Sequence, residues 1–161
     1  MGMKMVGIGE FGVSDKADSI VKTMALGSCV AAVFLAPSIK MVGMVHIALP
    51  DSTIDPVKAA RMPGYFADTA IPLLIKKFRA MGVQKPSELT VKLIGGASIM
   101  DPSGTFNIGK RNVLATRKML WKFRLGAKAE DVGKDFSRTV WVDAQTGKVK
   151  VFSPDHGEWE V

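Results

Sequence analysis

Two apolar runs, Val30–Leu35 and Met41–Leu49, constrain this chain more than any other feature. Each is apolar at successive positions, so both faces of each strand need cover. Strands of that kind lie at the centre of a sheet, with other layers on either side. Between them, Ala36-Pro37-Ser38-Ile39 reads as a loop, and Pro37 suits the second position of a type I turn. An antiparallel hairpin closed by that loop pairs Leu35 with Lys40. Counting back along both strands sets Cys29 directly opposite His46, on one face, with Cβ atoms about 4.5–5.5 Å apart. A bulge or a longer loop would break this register.

Cys29 is the only cysteine, so no intramolecular disulfide can form and a reducing compartment is expected. A thiol and an imidazole at that separation can share a proton. The thiolate is the nucleophile, and a neighbouring imidazolium lowers the thiol pKa. His46 is then placed to protonate a departing amine and afterwards to activate water. The expected chemistry is hydrolysis of a carboxamide through a covalent intermediate on Cys29. Gly27 and Ser28 precede the nucleophile. Glycine lets a substrate approach the backbone closely, and the N–H of Cys29 can help hold an oxyanion. A third group usually orients the base. Thr23, at the end of a preceding strand, offers a hydroxyl to the second imidazole nitrogen, and Asp51 competes for that role by charge. Each residue also has an ordinary reading. A lone cysteine is commonly a small buried hydrophobe, and a lone histidine in an apolar strand is commonly a satisfied core residue. The shared register raises the pair above that. His156, between Asp155 and Gly157, is expected at the surface. Ser28 is the poorer nucleophile at neutral pH.

The remaining segments supply the frame. Met3–Ile8 and Ile20–Met24 read as short strands. Asp55-Pro56 is an N-cap and first-turn pair. Phe66, Ala70, Leu74, Phe78 and Met81 recur at helical spacing until Gly82. Pro72, inside that pattern, predicts a kink or a restart. Glu88–Ile94 reads as a strand running into Gly95-Gly96. Asn107 reads as the cap of a helix over Ile108–Phe123, ended by Gly126. Arg138–Val142 and Lys148–Phe152 read as a hairpin turning through Asp143–Gly147. Gly95-Gly96-Ala97-Ser98 resembles half a phosphate loop without its lysine, and reads better as a tight turn near the site. No repeat or long linker divides the chain, so residues 1–161 read as one domain. Strands and helices do not alternate strictly, which disfavours a doubly wound sheet. The expected fold is α+β, a layered α/β sandwich with a mixed β-sheet and two main helices.

Composition excludes several function classes. A hydrophobic fraction of 47% and a charged fraction of 23% suit a folded soluble protein. The apolar stretch Val42–Pro50 is far too short to span a bilayer, and no export signal is visible. The cytoplasm is therefore expected, without membrane insertion. One Cys and two His make a poor zinc set, and neither metal nor cofactor is expected. The net charge of +7 is dispersed over Lys76, Lys77 and Arg79, then Lys110, Arg111, Arg117, Lys118, Lys122 and Arg124. A solvated basic surface is the simplest explanation, and an acidic protein partner comes next. Nucleic acid is not expected, because the single Tyr and the core-placed Phe residues leave no exposed aromatic interleaving.

The run Leu26-Gly27-Ser28-Cys29-Val30, followed by Gly43-Met44-Val45-His46 and Leu49-Pro50, resembles CheD, the chemoreceptor glutamine deamidase family of bacterial chemotaxis. Gly7-Ile8-Gly9-Glu10, Tyr65 with Asp68, and Ile94-Gly95-Gly96-Ala97-Ser98 extend the likeness. So do Asn107-Ile108-Gly109 with Arg111-Asn112, Asp131-Val132-Gly133, and Thr146-Gly147. Together they cover nearly the whole chain. The resemblance implies a catalytic Cys, His and Thr at Cys29, His46 and Thr23. It implies hydrolysis of chosen glutamines of chemoreceptors to glutamates with release of ammonia, and in some members hydrolysis of receptor glutamyl methyl esters. It also implies a layered fold related to the catalytic domain of the cytotoxic necrotizing factor toxins, and a CheC-type phosphatase as a partner that competes with receptors. A monomer is expected. The competing reading is a non-catalytic binding module that regulates a CheC-type response-regulator phosphatase. Lys134 stands where the family more often has a second glycine after Asp-Val-Gly, which bears on partner choice. Ala48 replaces a larger apolar residue before Leu49-Pro50. Neither departure touches the three implied catalytic positions.

Overall fold

The computed structural model describes residues 2–99, 101 and 103–161. The two apolar runs form neighbouring strands, β4 (Val30–Ala36) and β5 (Met41–Ile47), and every residue of both is buried. They belong to a mixed five-stranded sheet. Its order is β2 (Phe11–Ser14), β5, β4, β6 (Thr90–Gly95) and β7 (Ala127–Val132), antiparallel except between β6 and β7. A second mixed five-stranded sheet runs β1 (Gly2–Met5), β3 (Ser19–Leu26), β8 (Arg138–Asp143), β9 (Val149–Ser153) and β10 (Gly157–Glu160). It is parallel only between β1 and β3. The helices are α1 (Pro56–Arg61), α2 (Ala67–Ala80) and α3 (Ile108–Lys122).

Alternation along β4 explains the layers. Ala31, Val33 and Leu35 join Val21, Val140, Val142, Val149 and Val151 in a core between the two sheets. Val30, Ala32, Phe34 and Ala36 point the other way. They pack with Ala70, Ile71, Leu74 and Phe78 of α2 and with Val113 and Leu120 of α3. The Phe34 and Phe78 rings lie 5.7 Å apart. The stacking order is sheet, sheet, helices. The α+β class and the two main helices stand as expected, with α1 as a short addition. The single mixed sheet is corrected to two. Alternation shows that a strand has a buried face, but not whether a helix or another sheet covers it.

The hairpin register also differs. Ala36 pairs with Met41, and Ala31 rather than Cys29 pairs with His46. Pro37 opens a 3-10 turn through Ile39, and Lys40 closes it in the left-handed region at φ 50°. The loop therefore starts one residue later than Pro37's expected place in the turn implied. Cys29 lies just before β4, two places along from the residue opposite His46. A slide of two preserves the facing of every side chain, so Cys29 and His46 still share a face.

Helix α2 passes through Pro72 without interruption. The break comes earlier, where Pro63–Tyr65 forms a separate 3-10 turn between α1 and α2. Gly64 there presses on the Gly9 carbonyl, which a Cβ would approach to 2.5 Å. Asn107 does not cap α3 with its side chain; it adopts φ 52°. The Asp101 carboxylate instead accepts the N–H groups of Thr105, Phe106 and Asn107. These bonds, led by that from Asn107, hold the Asp101 carboxyl below its ordinary pKa.

Candidate active site

Cys29 is a half-buried free thiol where the Gly27-Ser28 turn enters β4. It packs against the core between the sheets. The same layer holds His46 of β5 and Thr23 of β3, both buried. Thr23 Oγ1 lies 2.7 Å from His46 Nδ1 and 2.6 Å from the Val6 carbonyl oxygen. A carbonyl only accepts, so the single hydroxyl proton goes to Val6 and the oxygen accepts from His46 Nδ1–H. That arrangement fixes the tautomer: Nδ1 carries the proton and Nε2 the lone pair. His46 Nε2 is buried and makes no hydrogen bond. The backbone of His46 is held by the Gly9 N–H at 2.8 Å and the Glu10 carbonyl at 3.0 Å.

Burial sets the charge states. It pushes the His46 imidazole down to about 4 and pushes the Cys29 thiol up. At neutral pH both groups are uncharged. The thiolate–imidazolium pair expected from sequence is therefore not the resting state. The structure instead offers a neutral thiol and a neutral base with an unused lone pair. No hydrogen bond joins them in the free protein, and such contacts commonly tighten when substrate binds.

Three donors pin three consecutive carbonyls around the sulfur. The Ala97 N–H bonds to Gly27 and the Gly96 N–H to Cys29, both at 2.8 Å. Asn112 Nδ2 bonds to Ser28 at 2.9 Å. Gly95 has φ 113°, and a Cβ there would collide with the Cys29 carbonyl, so only glycine permits this approach. The expected tight turn lies beside Cys29. Among the described residues, the N–H groups of Ser28 and Cys29 meet no backbone acceptor outside the strand ladders.

A cleft of about 740 Å³ opens beside Cys29, walled by Gly27 and Ser28, the loop after β6, the start of α3 and Gly133-Lys134. Ile99, Phe106 and Leu114 expose apolar surface there. His46 and Thr23 do not line it; they lie in the layer between the sheets. Asp51, the competing orienter, is exposed, and its carboxylate accepts from the Thr53 N–H and hydroxyl at 2.9 Å each. Of the two orienters weighed, the fold brings Thr23 to the imidazole. His156 is at the surface against the Phe136 ring.

Two polar residues, named in the sequence only within a motif and a strand, are buried and make contacts that the sequence did not show. Asn112 reaches the Ser28 carbonyl from α3. Arg138 is fully buried, bonded to Asp131 at 3.0 Å and to the Gly133 carbonyl at 2.9 Å, and so braces one wall of the cleft. A polar side chain on a helix or strand reads as solvent-facing until its distant partner is known. Among the described residues, no three His, Cys, Asp or Glu side chains gather as a metal site would need.

The chain is similar to known proteins over most of its length. A family model described as CheD chemotactic sensory transduction matches residues 48–153. A Syntrophotalea carbinolica protein named probable chemoreceptor glutamine deamidase CheD is 49% identical over 158 residues, covering 98% of each chain. The chemoreceptor glutamine deamidase CheD of Thermotoga maritima is 40% identical over 155 residues, covering 96% of this chain and 94% of its own. Among solved structures, a Neisseria meningitidis protein of the DUF152 family aligns with a TM-score of 0.44 at 12% identity, over 83% of this chain and 63% of that one. The family match and the near-full-length relatives agree, and the chain belongs to the CheD family of chemotaxis proteins, the family of these glutamine deamidases.

Proposed function

We propose that this chain deamidates glutamine side chains of chemoreceptors, with Cys29 as nucleophile, His46 as proton carrier and Thr23 as the group that orients His46. The observation that carries the reading is the Thr23–His46 bond. It leaves the imidazole lone pair free, in the layer against which the cleft-lining sulfur packs.

His46 Nε2 takes the thiol proton as the Cys29 sulfur attacks the carboxamide carbon, and a C–S bond forms. The N–H groups of Ser28 and Cys29, next to Gly27, receive the oxyanion. The imidazolium then gives its proton to the amide nitrogen, the C–N bond breaks and ammonia leaves. Water enters, and His46 takes one of its protons. The hydroxide adds to the thioester, the C–S bond breaks, and the proton returns to sulfur. Carboxamide and water have become carboxylic acid, ionised at neutral pH, and ammonia. Each turnover adds one negative charge to a receptor helix and so shifts the balance between packed helices. A resting thiol also resists oxidation better than a standing thiolate.

The rim of the cleft suits an acidic, amphipathic receptor helix, because apolar Ile99, Phe106 and Leu114 lie beside Lys110 and Lys134. A CheC-type phosphatase would compete for that rim. We read residues 1–161 as one domain, a cytoplasmic monomer whose layered fold is kin to the cytotoxic necrotizing factor catalytic domain. Mass spectrometry of a receptor fragment incubated with the protein tests the activity. A deamidated glutamine is about one dalton heavier, and an unchanged mass in a verified cognate fragment contradicts the reading. A purely regulatory module would instead keep full pathway function in cells as Cys29→Ala.

A further inference from the structure

Asn112 lies in the second turn of α3 with its side chain fully buried. Its Nδ2 donates twice, to the Ser28 carbonyl at 2.9 Å and to the Ala48 carbonyl at 3.0 Å. Both acceptors are oxygens, which fixes how the amide is turned. Ser28 directly precedes the nucleophile, and Ala48 follows the base by two residues. These two segments leave the β4–β5 ladder just beyond its last pair, Val30 with Ile47. There the backbone groups turn to other partners: the Ala48 N–H bonds to Tyr65, and the Cys29 carbonyl accepts from Gly96. Among the described residues, Asn112 is the side chain that ties the two segments together. Its Oδ1 is buried without a partner. A residue kept only to fill that space would be apolar, as its buried neighbour Val113 is. The orphaned oxygen is tolerated because the two N–H groups are needed.

We propose that Asn112 is a positioning residue for catalysis. Its two N–H bonds hold the Cys29 segment against the end of the His46 strand and so set the separation of sulfur and imidazole. The inference rests on the deamidase reading above. Asn112 acts through Ser28 and Ala48, so its loss should slow proton transfer and leave substrate binding in the cleft largely intact.

The test uses the full chain as Asn112→Leu and Asn112→Ala, with Thr116→Val as control. Thr116 is buried on the same helix and bonds to the Asn112 carbonyl at 2.7 Å. Leu keeps the bulk and removes both donors, so it remains informative if Ala does not fold. Two readouts are taken: kcat and KM for receptor deamidation, and the pH profile of Cys29 alkylation by iodoacetamide. Both Asn112 variants should lower kcat about tenfold or more with KM changed by less than about threefold. Their alkylation profiles should move toward that of His46→Ala, while Thr116→Val keeps the wild-type profile. Folded Asn112 variants with wild-type kcat and profile, whatever their melting temperature, would overturn the proposal. Cys29→Ala is assayed in parallel. If it is inactive while Asn112→Leu is fully active, only the positioning role fails. If it still deamidates, the underlying reading fails and takes the positioning role with it.

Discussion

The two layers packed on β4 and β5 are equally buried and differently made. Toward the helices the strands present apolar side chains, and Phe34 meets Phe78 there. Between the sheets the apolar side chains share space with Thr23, His46 and Arg138. A buried polar atom without a partner costs about 1–3 kcal/mol, and His46 Nε2 is such an atom. The apolar strand face toward the helices supplies stability, with Asn112 Oδ1 on α3 as an unpartnered atom of its own, while the layer between the sheets gives some up to hold the His46 imidazole unprotonated. Reactivity and stability should therefore respond to different substitutions.

The largest effect expected is on the polar side. His46→Ala should lower kcat by about 10²–10⁴-fold in a protein that still folds, read by ammonia release and circular dichroism. On the apolar side, Phe34→Ala should cost about 3–5 kcal/mol in urea unfolding, while the folded fraction keeps its kcat. If Phe34→Ala abolished turnover in folded protein, the two layers would not be separable.

The next effect is one of pH. The folded protein keeps His46 neutral down to about 4, whereas the unfolded chain takes up that proton near the ordinary value of 6.5. Unfolding thus binds a proton between those values, and stability should fall as pH drops from 6.5 toward 4, by about 3 kcal/mol from this group. Urea titrations at several pH values should show this loss in the wild type and its disappearance in His46→Gln. An identical acid slope in the two proteins would mean that the imidazole is not held neutral by burial.

Thr23→Val should have the smallest effect. It keeps the shape and removes the acceptor for His46 Nδ1–H. The loss of about 1–3 kcal/mol of orientation corresponds to about a tenfold to hundredfold drop in kcat. Nitrogen NMR of the imidazole should show the tautomer mixing. Unchanged kcat would remove the hydroxyl from the orienting role.

Much of the apolar side was legible in the sequence. Val30–Leu35 and Met41–Leu49 announced central strands, and the spacing of Ala70, Leu74 and Phe78 announced α2. The register slipped by two because proline fixes its own φ but not which residue of a turn it occupies. Lys40 closes the turn in a conformation that its residue type does not advertise. β7 was invisible because its sequence, Ala127–Val132, is half polar and lies at a sheet edge. Thr23 could be named from resemblance, but its contact with His46 joins two sheets and depends on long-range packing. Asn112 was quoted only as part of a motif, since nothing local says that an amide inside α3 meets two carbonyls. The resting charge states differ from the expected ion pair because burial pushes the Cys29 thiol up and the His46 imidazole down.

The most direct measurement is receptor-fragment deamidation by Cys29→Ala, followed by mass spectrometry after prolonged incubation with verified folded protein. The expected result is an unchanged glutamine alongside complete conversion by the wild type. Conversion by the variant at anything near the wild-type rate would show that the sulfur is not the nucleophile.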